Sequence, residues 1–263
     1  MKKILCISIA VCLLLCLCAC GEGSAPPFAE SAAPSSETGL STSETELDPD
    51  SLAHEAKTPA ETHPPRRPTL DIGEPIAFSY RDENSVIRAI GMVRVDNKTD
   101  EALALSPCEM EFYDADGAFV CKSDSVFAYP PVIEPGETAY YYEQVEPDLA
   151  DTVALTLNVS VPNPDKAEPV RYEVSEETVT DSPYGGLVVS GKVFNPTEQA
   201  AELVCVAAVL FDESGEPLAV VQTVLMEPLT AGETKDFYIE DFLLPTELAA
   251  QAVASIQTYA YPL

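Results

Sequence analysis

Two short acidic loops hold the residues of this sequence that could most readily do chemistry. Asp114 and Asp116 precede Gly117 in the stretch FYDADGAF, and Asp212 precedes Gly215 in the related stretch LFDESGEP. Closely spaced carboxylates could bind Ca²⁺ or act as paired catalytic acids. A calcium loop of the EF-hand type needs oxygen ligands at alternate positions over about twelve residues. After Gly117, however, the chain continues with apolar residues. We therefore predict a tight turn in each copy and no metal site.

Histidine, which most nucleophilic and zinc sites need, is missing from the part of the sequence that has a strand pattern. The only two histidines, His54 and His63, precede that part, which excludes His-dependent triads and the usual zinc sites. A carboxylate pair could still hydrolyse a glycoside, but among 44 acidic residues the proximity of two of them carries no evidence. We predict that the protein is not an enzyme, with no catalytic residue and no cofactor.

The turn interpretation also explains the strands that flank each loop. Aspartate suits the first position of such a turn because its side chain accepts hydrogen bonds from nearby backbone amides. If Asp114 pairs with Ala118, Phe112 lies opposite Val120 on an apolar face. The second copy gives apolar pairs in the same way, Leu210 with Leu218 and Ala208 with Val220. Both loops are therefore expected to close β-hairpins.

The same register gives a prediction for the cysteines. Cys108 shares a strand face with Phe112 and should be buried, whereas Cys121 falls opposite Glu111 on the outer face. Cysteines on opposite faces of a hairpin cannot reach disulfide geometry. Cys205 lies in the second copy of the pattern, so we predict three free thiols.

The apolar pattern indicates strands, and it occurs twice. In VIRAIGMVRV, Arg88 and Arg94 point away from an apolar face that consists of Ile87, Ala89, Gly91, Val93 and Val95. LVVSGKVFN repeats the alternation with Leu187, Val189, Gly191 and Val193, and Asn97 matches Asn195 in the turn that follows. Short strands without a long amphipathic helix between them indicate an all-β sandwich. A period well above the 20–50 residues of solenoids indicates two tandem domains. We place them at residues 71–164 and 165–263.

A family resemblance supports this organisation. The segments Met110–Asp114 and Ala208–Asp212 resemble the motif that names the FxLyD-type domains in its last three positions. The Pro-Gly-Glu-Thr segment and the Val-x-Asn turn also look like features of that family. The resemblance covers most of both copies. It implies immunoglobulin-like sandwich domains in an exported prokaryotic protein, without established catalytic residues, and it transfers no functional site.

The N-terminus predicts export and lipid anchorage. Lys2 and Lys3 precede an apolar run that ends in Leu-Cys-Ala-Cys at Cys20, and the run is shorter than the ~20 residues that a membrane-spanning helix needs. It resembles a bacterial lipoprotein signal peptide, residues 1–19, with Cys20 as the lipidated first residue of the mature chain. An ordinary secretory signal cleaved nearby is the alternative. We predict an extracytoplasmic protein anchored by lipid to the outer face of a bacterial cell membrane.

A polar segment separates this signal from the first domain. Residues 20–70 are rich in Ser, Thr, Pro and Glu and cannot bury enough apolar surface to offset their ordering entropy. We predict a disordered tether with a root-mean-square span of roughly 40 Å.

The net charge and the outward-facing aromatic residues indicate which kinds of binding partner the protein could have. The formal net charge of −30 repels nucleic acid and anionic headgroups, so nucleic acid is excluded as a partner. Strand alternation turns Tyr141 inward and leaves Tyr140 and Tyr142 outward, where they could anchor a partner or pack against neighbouring strands. We predict a membrane contact through the lipid on Cys20 and an unknown envelope protein or wall polymer as partner. A passive spacer or accessory subunit, and a calcium-dependent or hydrolytic module, are the alternatives.

Overall fold

The computed structural model describes residues 70–263, which form an all-β fold. Residues 71–166 are called the first repeat here and residues 173–262 the second repeat. The strands of the first repeat are β1 (Asp71–Ile72), β2 (Ile76–Arg81), β3 (Ile87–Asp96), β4 (Leu103–Ala104), β5 (Cys108–Asp114), β6 (Phe119–Val126), β7 (Ala128–Tyr129), β8 (Val132–Ile133), β9 (Thr138–Val145), β10 (Leu155–Ser160) and β11 (Asp165–Lys166). Those of the second repeat are β12 (Glu173–Asp181), β13 (Leu187–Phe194), β14 (Val204–Phe211), β15 (Pro217–Leu225), β16 (Thr234–Asp241) and β17 (Ser255–Pro262), with a 3-10 turn at Ala250–Ala252.

Each repeat forms two antiparallel sheets with the same strand order. In the first repeat the sheets are β2-β3-β9 and β10-β5-β6, with β1 added beside β3 and β7 beside β9. In the second repeat they are β12-β13-β16 and β17-β14-β15. The short strand β4 pairs with β8 on one side and with β11 on the other, which makes a third, small sheet in the first repeat. The predicted all-β sandwich architecture is confirmed, and the two copies of the sequence pattern have the same topology.

The two sheets of each repeat enclose an apolar core. Strand alternation predicted the inward faces of β3 and β13 correctly, because Val93 and Val95 lie in the first core and Val189 and Val193 in the second. Other large buried members of the first core are Leu103, Met110, Phe112, Ile133 and Tyr141, and of the second Leu187, Leu210, Leu229, Phe237, Ile239 and Leu244. Alternate side chains of a strand point to one face, so each core contains about half of the side chains of its strands.

Asn97 and its counterpart Asn195 hold the turn after β3 and β13 with the same hydrogen bonds. Both side chains are fully buried. The Asn97 amide donates to the carbonyls of Glu101 (2.8 Å) and Ile133 (3.2 Å), and its Oδ1 accepts hydrogen bonds from the backbone and hydroxyl of Thr99. Asn195 makes the equivalent bonds with Gln199, Leu229 and Thr197. Because every polar group of these amides has a partner, burial is stabilising rather than costly.

The hairpin turns are confirmed, but the predicted register beyond them is wrong. Gly117 has φ +79° and donates to the Asp114 carbonyl, and Asp114 donates to Ala118, as expected. Further along, Phe112 pairs with Cys121 rather than with Val120, because a β-bulge shifts the register by one residue. The second repeat has the bulge at the same place, where Leu210 pairs with Ala219 and Ala208 with Val221. A bulge adds a residue to one strand only.

The bulge corrects the prediction for Cys121 while leaving the thiol count intact. Because of the shift, Cys121 lies opposite Phe112 and packs against the first core instead of facing outward opposite Glu111. Cys108 is fully buried, as predicted, and all three cysteines of the described residues are free thiols. Burial raises the pKa of the Cys108 thiol to about 12, which makes it a poor nucleophile at neutral pH.

Candidate functional site

The acidic loops use their carboxylates to hold the turn. Asp114 Oδ1 accepts hydrogen bonds from the backbone amides of Asp116 (2.9 Å) and Ala118 (2.8 Å). Asp212 Oδ1 does the same for Ser214 and Glu216, and the hydroxyl and amide bonds lower the pKa of Asp212. Within residues 70–263 there is no group of three or more His, Cys, Asp or Glu side chains arranged to hold a metal ion.

The two outward tyrosines of β9 face the second repeat. Tyr141 points into the first core and donates to the carbonyl of Ser106 at 2.8 Å, as its inward position predicted. Tyr140 is only 5 % exposed, and its ring meets Phe211 of the second repeat edge to face at 5.8 Å between centroids. Tyr142 packs between the repeats, and its Oη is buried without a hydrogen-bond partner. Tyr140 and Tyr142 therefore pack against the second repeat of the same chain, and they do not form an exposed surface for a partner.

A third apolar cluster, the inter-repeat cluster, joins the two sandwiches. The first repeat contributes Tyr80, Ile90, Met92, Tyr129 and Tyr140, and the second contributes Cys205, Ala207, Val209, Val220, Tyr259 and Tyr261. All are at most 8 % exposed, so this contact is as well buried as either core. The two repeats belong to one compact unit. The sheets are therefore stacked in four layers, with the outer sheets β10-β5-β6 and β12-β13-β16 at the two ends.

Polar contacts surround the inter-repeat cluster on both sides. The carbonyl of Leu243 accepts hydrogen bonds from Tyr80 Oη (2.8 Å) and from Gln144 Nε2 (3.0 Å). Arg171, just before the second repeat, forms an ion pair with Glu137 of the first at 2.8 Å, and its guanidinium lies 5.1 Å from the centre of the Tyr259 ring. These contacts tie the first repeat to the second repeat and to the residue Arg171 that precedes it.

Sequence reasoning missed most of this contact, although a signal for it was present. The run from Val204 to Phe211 is apolar without interruption, and β14 is buried on both faces. A short continuous apolar run is typical of a strand covered on both sides. Ile90 and Met92 interrupt the polar face of β3 in the same way. Because the prediction relied on alternation alone, it assigned only one face of each strand to a buried contact.

Two carboxylates near Arg88, the buried Asp82 and the half-buried Asp241, have contrasting environments. Asp82 is buried, and its carboxylate accepts hydrogen bonds from Arg88 Nε (2.7 Å) and from two backbone amides of its own turn. Burial disfavours the Asp82 carboxylate, but these bonds outweigh it and lower its pKa. Asp241 of β16 has the opposite balance. Burial raises its pKa, only partly offset by the backbone amide of Leu243 and the charge of Arg88.

A cleft of about 790 Å³ opens where the repeats meet. It is lined by residues 73–77, 155–157 and 215–217 together with Met92, Arg94 and Tyr140. The first range covers the link between β1 and β2 and the start of β2, the second lies in the edge strand β10, and the third is the tip of the β14–β15 hairpin of the second repeat. The lining is about equally polar and apolar, which is more polar than the mainly apolar pockets that hold small molecules.

The described residues thus define a β-sandwich protein whose two similar repeats are stacked through aromatic and aliphatic side chains. Neither the known protein-family models nor the curated proteins match this chain. The predicted signal peptide, the lipidated Cys20, most of the tether and both histidines lie outside the described residues. Within residues 70–263 no helix is long and apolar enough to cross a bilayer. The resemblance to FxLyD-type domains, the domain boundaries and the anchor remain predictions.

Proposed function

We propose that this chain is a non-catalytic, lipid-anchored extracytoplasmic protein whose tandem β-sandwiches bind a protein or polymer of the cell envelope. The signal and Cys20 would supply the anchor, and the tether would set the distance from the membrane. In this proposal the repeats are FxLyD-type, immunoglobulin-like domains.

The observation that carries the binding role is the cleft at the junction of the repeats. Residues 73–77 and 155–157 of the first repeat and 215–217 of the second contribute to one concavity. Pockets between sandwiches or domains are a preferred place for ligands. The features that the two repeats share, such as Asn97 and Asn195, are explained by their role in the fold and give no evidence of a binding site.

Capture from the native envelope tests the binding role. The full-length protein would carry an affinity tag after Leu263, which is 69 % exposed, and would be purified in mild detergent together with whatever it holds. A component retained by this chain, and not by an unrelated lipid-anchored sandwich with the same tag, would support the proposal. Repeated failure to retain any such component would contradict it.

The anchor has a separate test. Cys20→Ala removes the thiol that would be acylated, and a multiply acylated cysteine holds a protein on the membrane stably because each buried CH₂ contributes about 0.8 kcal/mol. We expect the natural chain in the membrane fraction and the Cys20→Ala chain in the soluble extracytoplasmic fraction. Retention of both chains in the membrane would contradict lipid anchorage at Cys20.

A passive spacer is the second candidate function, and the inter-repeat cluster favours it. Two sandwiches joined by residues at most 8 % exposed resist bending more than two domains on a flexible linker, which is what a spacer needs. Replacing both repeats by an unrelated sandwich pair of equal length distinguishes the two functions. A spacer should tolerate the replacement, whereas a binding protein should lose its partner.

A further inference from the structure

The cleft is bounded by two strand edges that begin to pair and then diverge. Phe78 of β2 and Ala154, just before β10, form a single antiparallel bridge. Ser79 Oγ donates to the Val153 carbonyl at 2.8 Å and accepts from its amide at 2.7 Å. Beyond this bridge, residues 74–77 of one edge and 155–157 of the other no longer pair, and both line the cleft.

Main-chain hydrogen-bonding groups point into this space. Along these residues β2 has only β3 as a sheet partner and β10 only β5, within the part of the chain that the structure describes. In an antiparallel edge strand, the N–H and C=O of every other residue point away from its single partner. Residues 155–157 of β10 therefore offer donors and acceptors at the spacing of a β-strand. Ile76 and Ala77 of β2 offer fewer, because the strand begins at Ile76 and Pro75 before it has no N–H.

The side chains of the cleft suit an extended segment with apolar and basic residues. Ile76 and Leu157 are half-buried and offer apolar surface. Glu74 and Glu216 are exposed acids, while the guanidinium of Arg94 is engaged by Asp96 at 3.0 Å. The charges without an ion-pair partner in the lining are therefore both negative. The net charge of −30 on the whole chain adds attraction for a cationic partner at longer range.

We propose that the cleft binds an extended, basic segment of a partner protein, which adds as a strand to the exposed edge of β2 or β10. This proposal rests on the proposed binding function and assigns it a site and a class of ligand. Strand addition supplies affinity through main-chain hydrogen bonds and specificity through pockets for alternate side chains. Glu74 and Glu216 select basic residues, and the hairpin of the second repeat makes the stacked arrangement of the repeats part of the site.

A labelled Lys-Val-Lys-Val-Lys-Val-Lys peptide is the probe, titrated against the full-length protein in mild detergent and followed by fluorescence anisotropy. We expect saturable binding that weakens with added salt. We also expect slower hydrogen exchange at residues 74–77 or 155–157 in the complex. The same peptide with N-methyl groups on alternate residues cannot donate along one edge, so it should bind at least tenfold more weakly.

Charge reversal gives the matched protein variants. Glu74→Lys with Glu216→Lys changes two exposed side chains of the lining and should weaken the probe about tenfold, because two charges that attract the basic peptide then repel it. Glu198→Lys with Glu202→Lys makes the same change in net charge at exposed positions outside the lining and should have little effect. Equal binding of the N-methylated peptide, equal loss in both variants, or exchange protection elsewhere would overturn the proposal.

The envelope capture experiment separates this proposal from the binding function itself. A component that the natural chain retains and the Glu74→Lys, Glu216→Lys chain loses supports the cleft as its site. If both chains retain the component equally, the protein still binds a partner, but the cleft is not where it does so.

Discussion

At the residue scale, the two repeats share the side chains that hold the backbone of the turns through hydrogen bonds. Asn97 and Asn195 make the same bonds, and Asp114 and Asp212 accept hydrogen bonds from the same turn amides. The sequence alone predicted these turns because aspartate and glycine have specific backbone preferences. It did not predict the bulge that follows, since Val120 and Leu218 are residue types that also occur in regular strands. Gly215, Glu216 and Pro217 of the cleft lie in the LFDESGEP loop, but nothing in that motif shows that the loop lies beside strands of the other repeat.

Replacing Asn97 or Asn195 by alanine should destabilise the protein by about 2–3 kcal/mol, because the backbone carbonyls and amide that each side chain satisfies would stay buried without partners. Denaturant unfolding of each variant measures this loss. Asn158→Ala is the control, since Asn158 is exposed and its loss should change stability by less than about 0.5 kcal/mol. Equal effects of the three substitutions would contradict the structural role of the buried amides.

Asp82 and Asp241 should give pH dependences of opposite sign. The pKa of Asp82 is lowered on folding, so its contribution is present above the unfolded pKa of about 3.9 and is lost as the pH falls through the folded pKa. The pKa of Asp241 is raised, so its contribution is present below the unfolded pKa and is lost as the pH rises through the folded pKa.

Substitution by asparagine at each position measures these contributions in unfolding curves from pH 7 to pH 3. At pH 7, Asp82→Asn should lower stability by about 3 kcal/mol because it leaves Arg88 poorly compensated, and the difference should shrink in acid. Asp241→Asn should raise stability at pH 7, and this gain should vanish in acid. Two pH profiles of the same sign would contradict the environments described for these carboxylates.

At the scale of the strand, alternation predicted the inner faces of the sheets and failed where a strand is covered on both sides. The face of β3 toward the first core was correct, whereas Ile90 and Met92 on its other face are also buried. A pattern of period two identifies one contact surface per strand. A second buried surface is indicated only where the alternation breaks, as at Ile90 and Met92 or in β14, and the pattern does not show which part of the chain covers it.

Gly91 tests how tightly β3 packs on the opposite sheet. A Cβ at this position would lie 2.6 Å from Cζ of Phe112, a fully buried ring in the first core. Gly91→Ala should therefore cost about 1–3 kcal/mol through overpacking, as measured by thermal or denaturant unfolding. Adding Phe112→Leu shortens the obstructing side chain, so the double variant should lose less stability than the sum of the two single variants.

Gly117→Ala provides the contrast for this prediction. No atom lies within 4 Å of a Cβ built there, but φ is +79°, so the expected loss of about 1 kcal/mol comes from backbone conformation alone. Phe112→Leu should not rescue it. Additive effects of Gly91→Ala and Phe112→Leu would show that the ring is not what excludes a side chain at Gly91.

At the scale of the whole molecule, the two repeats are similar in topology and complementary in surface. The pair Met92 and Tyr142 faces the second repeat, whereas its equivalent in β13 and β16, Ser190 and Tyr238, lies on the outer face. Likewise the equivalent of Tyr140 in the second repeat is Asp236.

The outer sheet of the first repeat, at the other end of the stack, carries Glu109, Lys122 and Asp124 in ion pairs. The polar residues on these two outer faces disfavour packing of another sandwich there, because such a contact would bury charges without apolar gain. Sequence alternation could place Tyr140 and Tyr142 outward, but only the fold shows that the second repeat covers them.

Val209→Asp should uncouple the repeats and leave both sandwiches folded. Val209 is fully buried in the inter-repeat cluster, on the face of β14 that turns away from the second core. A carboxylate there has no partner, and separating the repeats is the simplest way to hydrate it. The natural chain should unfold in one calorimetric transition, whereas the variant should show two and a larger radius of gyration in X-ray scattering. Thr180→Asp, on the exposed outer sheet, makes the same change in charge and should alter neither. A variant that keeps a single transition at a lower temperature would show that the sandwiches do not fold independently, and would overturn the prediction of two tandem domains.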